Sequence, residues 1–198
     1  MSRKVIPAKP RSNADIEAFA LSILRRYQPE ALAKPTPFDI ERFFECELER
    51  LTGVLPDYRP LPIGIFGYTD SDEMESVISS ELMDDAYQLK FTRSTMAHET
   101  GHALLHVEEF RLKKAILRSI HNKQHVSLRM YRESAIRLYK NPEWQAWRFA
   151  GCLLMPASMV KTVLGDGCSV RAIAEIFEVN PAFVRTRLRG LKILNVPE

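Results

Sequence analysis

His98, Glu99 and His102 stand in the order H-E-x-x-H within Met96-Ala-His-Glu-Thr-Gly-His-Ala-Leu-Leu-His106. Residues four apart on a helix lie one above the other on one face, so the two imidazoles can share a cation. Glu99 is turned about 100° away on the same helix. That offset suits a carboxylate that leaves the metal alone and takes a proton from the water attacking a carbonyl. The pattern predicts two zinc ligands and a general base. The bland alternative is a core helix with two hydrogen-bonded histidines and a surface glutamate. Ala97, Gly101, Leu104 and Leu105 weigh against it, because they form an apolar stripe at helical spacing and place the histidine face at the border of the interior. Gly101 costs a helix about 1 kcal/mol relative to Ala, which implies that something packs close there.

A catalytic zinc takes three protein ligands and keeps one position open. His106 follows His102 by four residues, but on a straight helix it is about 12 Å beyond His98. One ion bound at about 2 Å cannot reach all three, so His106 reads as a helix-end residue or a support for a ligand. The longer pattern H-E-x-x-H-x-x-G-x-x-H is absent, since Leu105 and Glu108 occupy its Gly and His positions. Glu143 is the better third ligand. It heads the inward face of a segment in which Asn141 is a plausible N-cap, Pro142 the first helical residue and Pro156 the end. Ala146, Phe149, Ala150, Leu153 and Leu154 make its buried stripe. A carboxylate at the head of such a face needs a partner, which zinc would supply. Taken alone, Glu143 is equally explained by its helix dipole; H-E-x-x-H upstream favours ligation. For a developing oxyanion the candidate donors are Tyr68, Tyr131, Tyr139 and Arg148, with His106 a further candidate. His121 and His125 are also four apart, but lysines and arginines surround them and disfavour a second cation.

The 198 residues fit one domain or two small ones, and 45% apolar content supports an ordinary core. No segment approaches the roughly 18 consecutive apolar residues of a membrane span, so the reading is a soluble cytoplasmic protein with no membrane partner. Three cysteines, Cys46, Cys152 and Cys168, lack C-x-x-C spacing and argue against disulfides and a thiolate zinc site. Net charge is only +3, yet nine Lys/Arg against one Glu lie between Arg111 and Lys140. A run of that kind is more often a solvated face than a contact surface for an acidic partner.

The elements that must carry these residues give an α+β fold. Residues 1–11 are polar and Pro-containing and read as an extended or poorly ordered arm. Ile16, Phe19, Ala20, Ile23, Leu24 and Tyr27 line one helix behind Ser12 or Asn13. Thr36-Pro37 opens a second, with Ile40, Phe43, Phe44, Leu48 and Leu51 inward and Gly53 as its stop. Short β-type runs, Val54-Leu55, Ile63 to Thr69 and Ser76 to Ser79, predict a small antiparallel sheet packed against the H-E-x-x-H helix, with an edge that could hold an extended peptide. After Pro156, three short helices are expected: Ala157 to Leu164, Ser169 to Glu178 and Pro181 to Leu191. The last two are helix-turn-helix-like, and Arg185, Arg187 and Arg189 could reach phosphates, although packing under the rest of the chain is favoured over DNA contact.

Together the two motif segments resemble the ImmA/IrrE-type zinc metallopeptidases, whose pattern is like F-T-x-A-H-E-x-G-H-x-x-L-H followed by E-x-x-A-N-x-F-A-x-x-L-L-M-P. Here Phe91-Thr92 precede Ala97-His-Glu-Thr-Gly-His-Ala-Leu-Leu-His106, and Glu143-Trp-Gln-Ala-Trp-Arg-Phe-Ala-Gly-Cys-Leu-Leu-Met-Pro156 follows. Trp147 stands where the family has Asn, and the stretch from Leu105 to Glu143 is long for it. The resemblance implies His98, His102 and Glu143 as ligands of one Zn²⁺ per chain, Glu99 as general base, and a gluzincin-like, zincin-type endopeptidase. It also implies a protein substrate, a helix-turn-helix transcriptional repressor whose cleavage derepresses genes of a stress response or mobile element. The competing expectation is a non-enzymatic, zinc-stabilised regulator that binds DNA or a repressor. The expected division is an arm over 1–11, a peptidase domain over 12–156 and a C-terminal helical segment over 157–198.

Overall fold

The computed structural model describes residues 4–121, 127–193 and 196. A two-residue strand, β1 (Lys4–Val5), precedes helix α1 (Asn13–Tyr27). Ser12 caps α1: its hydroxyl accepts from the Asp15 amide while the Asp15 carboxylate accepts from the Ser12 amide. The second expected helix starts later than Pro37, because Asp39 is the residue that caps it, accepting from the Arg42 amide at 3.1 Å. It is divided at Glu47 into α2 (Ile40–Cys46) and α3 (Leu48–Thr52). Gly53, at φ 71°, ends α3 in the left-handed conformation.

The sheet departs from the antiparallel one expected. Strands β2 (Leu55–Arg59), β3 (Gly67–Asp70) and β4 (Glu75–Ser79) lie in the order β2-β4-β3. β3 and β4 form an antiparallel hairpin, but β2 runs parallel to β4, with Leu55 opposite Glu75. Pro56 does not interrupt β2, because β2 is an edge strand. The Leu55 amide donates to the Met74 carbonyl at 2.8 Å, so the neighbouring Pro56 nitrogen points to the open side, where no hydrogen is needed. Of the run from Ile63 to Thr69 only Gly67 onward joins the sheet, and Ile63 is exposed.

After the short α4 (Ser80–Met83), α5 (Leu89–His102) passes through a π-helical turn at Ala103–Val107 into α6 (Glu108–His121). Then come β5 (Tyr131–Arg132), α7 (Pro142–Leu154), α8 (Ala157–Gly165), α9 (Val170–Ile176) and α10 (Pro181–Gly190). The N-terminal arm is extended and seated: β1 pairs with β5, and the amides of Ala8 and Arg11 donate to the carbonyls of Lys140 and Tyr139 at 2.9 and 3.0 Å. One core cluster joins α1, α2, α5, α7 and the C-terminal helices, with Ile16, Phe44, Met96, Phe149 and Phe177 fully buried in it.

Arg187, one of the three arginines that could have reached phosphates, is turned inward. Its guanidinium is inside the protein, donating to Glu17 Oε1 at 2.7 Å, the Met155 carbonyl at 2.9 Å and Cys152 Sγ at 3.2 Å. It ties α10 to α1 and α7. The Arg189 guanidinium bonds the Arg185 carbonyl and Thr186 within α10.

Candidate metal centre

α5 is buried from Thr92 to Gly101 although much of that stretch is polar. Three of its hydroxyls are hydrogen-bonded to backbone carbonyls: Ser94 donates to the Lys90 carbonyl, Thr95 to that of Phe91, and Thr92 to those of Leu82 and Gln88. Arg93, also buried, reaches the Phe38 carbonyl at 2.7 Å. A polar helix can be interior because these bonds replace water. Gly101 is where α7 comes close; a Cβ there would lie 3.1 Å from the Ala146 Cα and from the Phe149 ring. The close packing read from Gly101 in the sequence is this crossing.

α7 is set by Asn141, whose side-chain oxygen accepts from the amides of Glu143 and Trp144 at 2.9 and 3.4 Å. Glu143 therefore sits in the first turn, facing α5. His98 Nε2 and His102 Nε2 are 3.2 Å apart, and each lies 3.5 Å from a different oxygen of the Glu143 carboxylate. These three residues form a group able to hold a metal ion. Tetrahedral zinc with bonds near 2.0–2.1 Å spaces its ligand atoms at about 3.3 Å. The three distances of 3.2, 3.5 and 3.5 Å are close to that figure.

The electrostatics agree with the geometry. Burial lowers His98, favouring the neutral imidazole that can donate a lone pair. Burial of Glu143 opposes its charge, but hydrogen bonds to His102 and His98 outweigh it and hold the carboxyl well below the usual range. A buried carboxylate facing imidazole nitrogens is a donor set suited to a cation at its centre.

Glu99 is buried on the sheet side of α5. Its Oε2 accepts from Thr69 Oγ1 at 2.8 Å, and a Cβ on Gly67 would lie 3.1 Å from its Cγ. Alternation along β3 explains the pairing: Gly67 and Thr69 face α5, and Tyr68 faces away, donating to Glu75 Oε1 at 2.6 Å. The remaining candidates are dispersed. Tyr131 is exposed on β5, the Tyr139 hydroxyl bonds Arg137 at 2.9 Å, and Arg148 donates to the Gly190 carbonyl at 3.2 Å. Arg148 lines a hollow of about 370 Å³ with Trp144, Trp147 and Phe183. A hollow of about 950 Å³ lies along α6 against Asp72–Met74 and shares no residue with the metal group; donor chemistry, not the size of a hollow, locates the site. His121 is exposed, and His125 lies outside the described residues.

His106 is buried behind His102, with Nδ1 3.1 Å from His102 Nδ1 and Nε2 3.0 Å from Gln145 Oε1. Burial pushes it well below the usual histidine range. Gln145, Thr69 and Arg11 escaped the sequence reading, because a lone polar residue outside any motif looks like surface.

A family model, the IrrE N-terminal-like domain of peptidases, matches residues 89–189. The chain belongs to this family. Membership gives it a metallopeptidase-type function. The IrrE N-terminal-like segment spans α5 to α10 and holds all three metal-group residues, while Thr69 and Arg11 lie before it. No curated protein matches the chain. Among the described residues no helix is long and apolar enough to cross a membrane.

Proposed function

We propose that the protein is a zinc endopeptidase that cuts a helix-turn-helix transcriptional repressor and so derepresses the genes that the repressor silences. The observation that carries the metal and the chemistry is the His98, His102 and Glu143 donor set, at zinc spacing, with Glu99 held one residue from His98 on a chain of a peptidase family. The repressor rests on the resemblance to ImmA/IrrE-type peptidases. Three unpaired cysteines suit a reducing compartment, and we place the protein in the cytoplasm.

His98, His102 and Glu143 would hold the ion. Bound there, zinc supplies Lewis acidity that polarises a carbonyl and makes a water acidic enough to lose its proton near neutral pH. Glu99 receives that proton on its carboxylate and delivers it to the leaving amine. Thr69 holds one carboxylate oxygen and so restricts the rotamers of the base. The exposed side of β3, an edge strand, offers backbone groups to an extended substrate.

Zinc content and cleavage of repressors encoded beside the gene test this reading together. The parent is expected to carry about one zinc per chain and to cut one of them. Glu99→Gln keeps the metal and loses cleavage, and Glu143→Ala loses the metal. Cleavage retained by Glu99→Gln would overturn the mechanism.

A further inference from the structure

The two imidazoles of the metal group differ at their second ring nitrogen. His98 Nδ1 is buried and has no hydrogen-bond partner among the described residues, whereas His102 Nδ1 meets His106 Nδ1 at 3.1 Å. His106 Nε2 in turn meets Gln145 Oε1 at 3.0 Å. The direction in which protons point along this chain is decided at its far end. Gln145 Nε2 donates to the carbonyls of Lys9 and Tyr139 at 2.9 and 2.8 Å, and Oε1 accepts from Arg11 Nη1 at 2.8 Å. Turning the amide over would set its oxygen against two carbonyl oxygens and its NH₂ against a guanidinium, so one orientation survives.

The rest follows from donor and acceptor counting. Gln145 Oε1 only accepts, so His106 donates from Nε2. With its ring hydrogen committed to Gln145, His106 presents the lone pair of Nδ1, and His102 donates to it from its own Nδ1. In the metal-binding form the lone pair of His102 is then on Nε2, the atom that faces Glu143 and His98. A ligand imidazole is oriented in this way when its other nitrogen donates to a fixed acceptor.

The anchor is the N-terminal arm, which lies outside the family-matched span. Arg11 Nη2 also donates to the Leu105 carbonyl at 2.6 Å, inside the π-helical turn that follows His102. The Lys9 amide donates to Glu109 Oε1 at 2.6 Å, on the first turn of α6. Arm, π-turn and α7 therefore converge on one side chain, Gln145, which is completely buried.

We propose that Gln145 and Arg11 are positioning residues for the metal ligand His102: the N-terminal arm, acting through Gln145 and His106, selects the tautomer and ring orientation that His102 needs to bind the ion. This rests on the metal group named above and is independent of the substrate.

The test reads metal binding instead of cleavage. Zinc affinity is measured by competition with a chromogenic chelator, below the unfolding temperature of each metal-free protein, and the visible spectrum of the Co²⁺-substituted protein reports ligand geometry. Gln145→Leu is expected to weaken zinc binding about ten- to hundredfold and to shift the cobalt bands. Arg11→Met, at the outer end of the network, should do so to a smaller degree. If Gln145→Leu does not fold, Arg11→Met decides. Parental affinity and an unchanged cobalt spectrum in the folded variants would overturn the proposal and leave the metal site standing. A parent that binds no zinc would overturn the proposed function as well.

Discussion

The Trp147 indole lies over the His98 imidazole, with ring centroids 4.1 Å apart and planes inclined by 29°. Phe183 of α10 meets the same indole edge-on at 5.8 Å. His98 is thus held by stacking where His102 is held by hydrogen bonds, and the residue that stacks stands where the family pattern has Asn. The C-terminal helices reach the metal group through this aromatic pair.

Trp147 should therefore report metal binding. The chain has two tryptophans, and of these Trp147 stacks on a residue of the candidate metal group. Titrating Co²⁺ into the metal-free protein is expected to quench a large part of the fluorescence, and Trp147→Phe should remove most of that response while Trp144 still emits. An equal quench in the variant would place the metal elsewhere.

Gly101→Ala sets two effects against each other. Alanine stabilises a helix by about 1 kcal/mol over glycine, but its methyl would meet the Ala146 backbone and the Phe149 ring at 3.1 Å. Because backbone cannot swing aside as a flexible side chain can, overpacking of about 1–3 kcal/mol should win. A net loss of about 1 kcal/mol is expected in urea unfolding of the metal-free protein. A stabilised variant would show that α5 and α7 can separate at no cost.

Arg187→Met removes the cation beside Glu17, whose side chain is 20% exposed. Breaking a fully buried pair costs about 3–5 kcal/mol; partial exposure brings the expectation to about 2–3 kcal/mol at pH 7. Burial raises the Glu17 carboxyl, but the hydrogen bond and charge of Arg187 outweigh it and set it below its ordinary 4.5. A depressed carboxyl stabilises the fold above that value and loses the contribution as pH falls through the folded value. Cys152, pushed up to about 12 by burial, stays a thiol throughout. The gap between parent and variant should therefore hold from pH 7 down to about 4.5 and narrow below that, measured by urea unfolding. A gap independent of pH would mean that Arg187 acts by packing alone.

The metal group was legible because its spacing is local. His98, Glu99 and His102 share one helix, and Asn141 and Pro142 announce the helix that starts with Glu143. Gly101 disclosed the crossing of those helices, and the caps at Ser12 and Gly53 marked real boundaries. The sheet was misread because alternation specifies which face of a strand is buried and says nothing of which neighbour it takes, so the parallel pairing of β2 with β4 left no trace in the residues. Arg187 in a basic helix looked like surface, and only the approach of Glu17 from α1 turned it inward.

The sequence alone determined that His98 and His102 meet on one face of a helix, since the pitch of a helix converts a spacing of four into a shared face whatever surrounds it. Tertiary structure decided how those donors are held. Arg11 and Gln145 meet across 134 positions, and Thr69 and Glu99 across 30. Contacts at such separations arise from packing of the whole core, for which no local periodicity exists to be read.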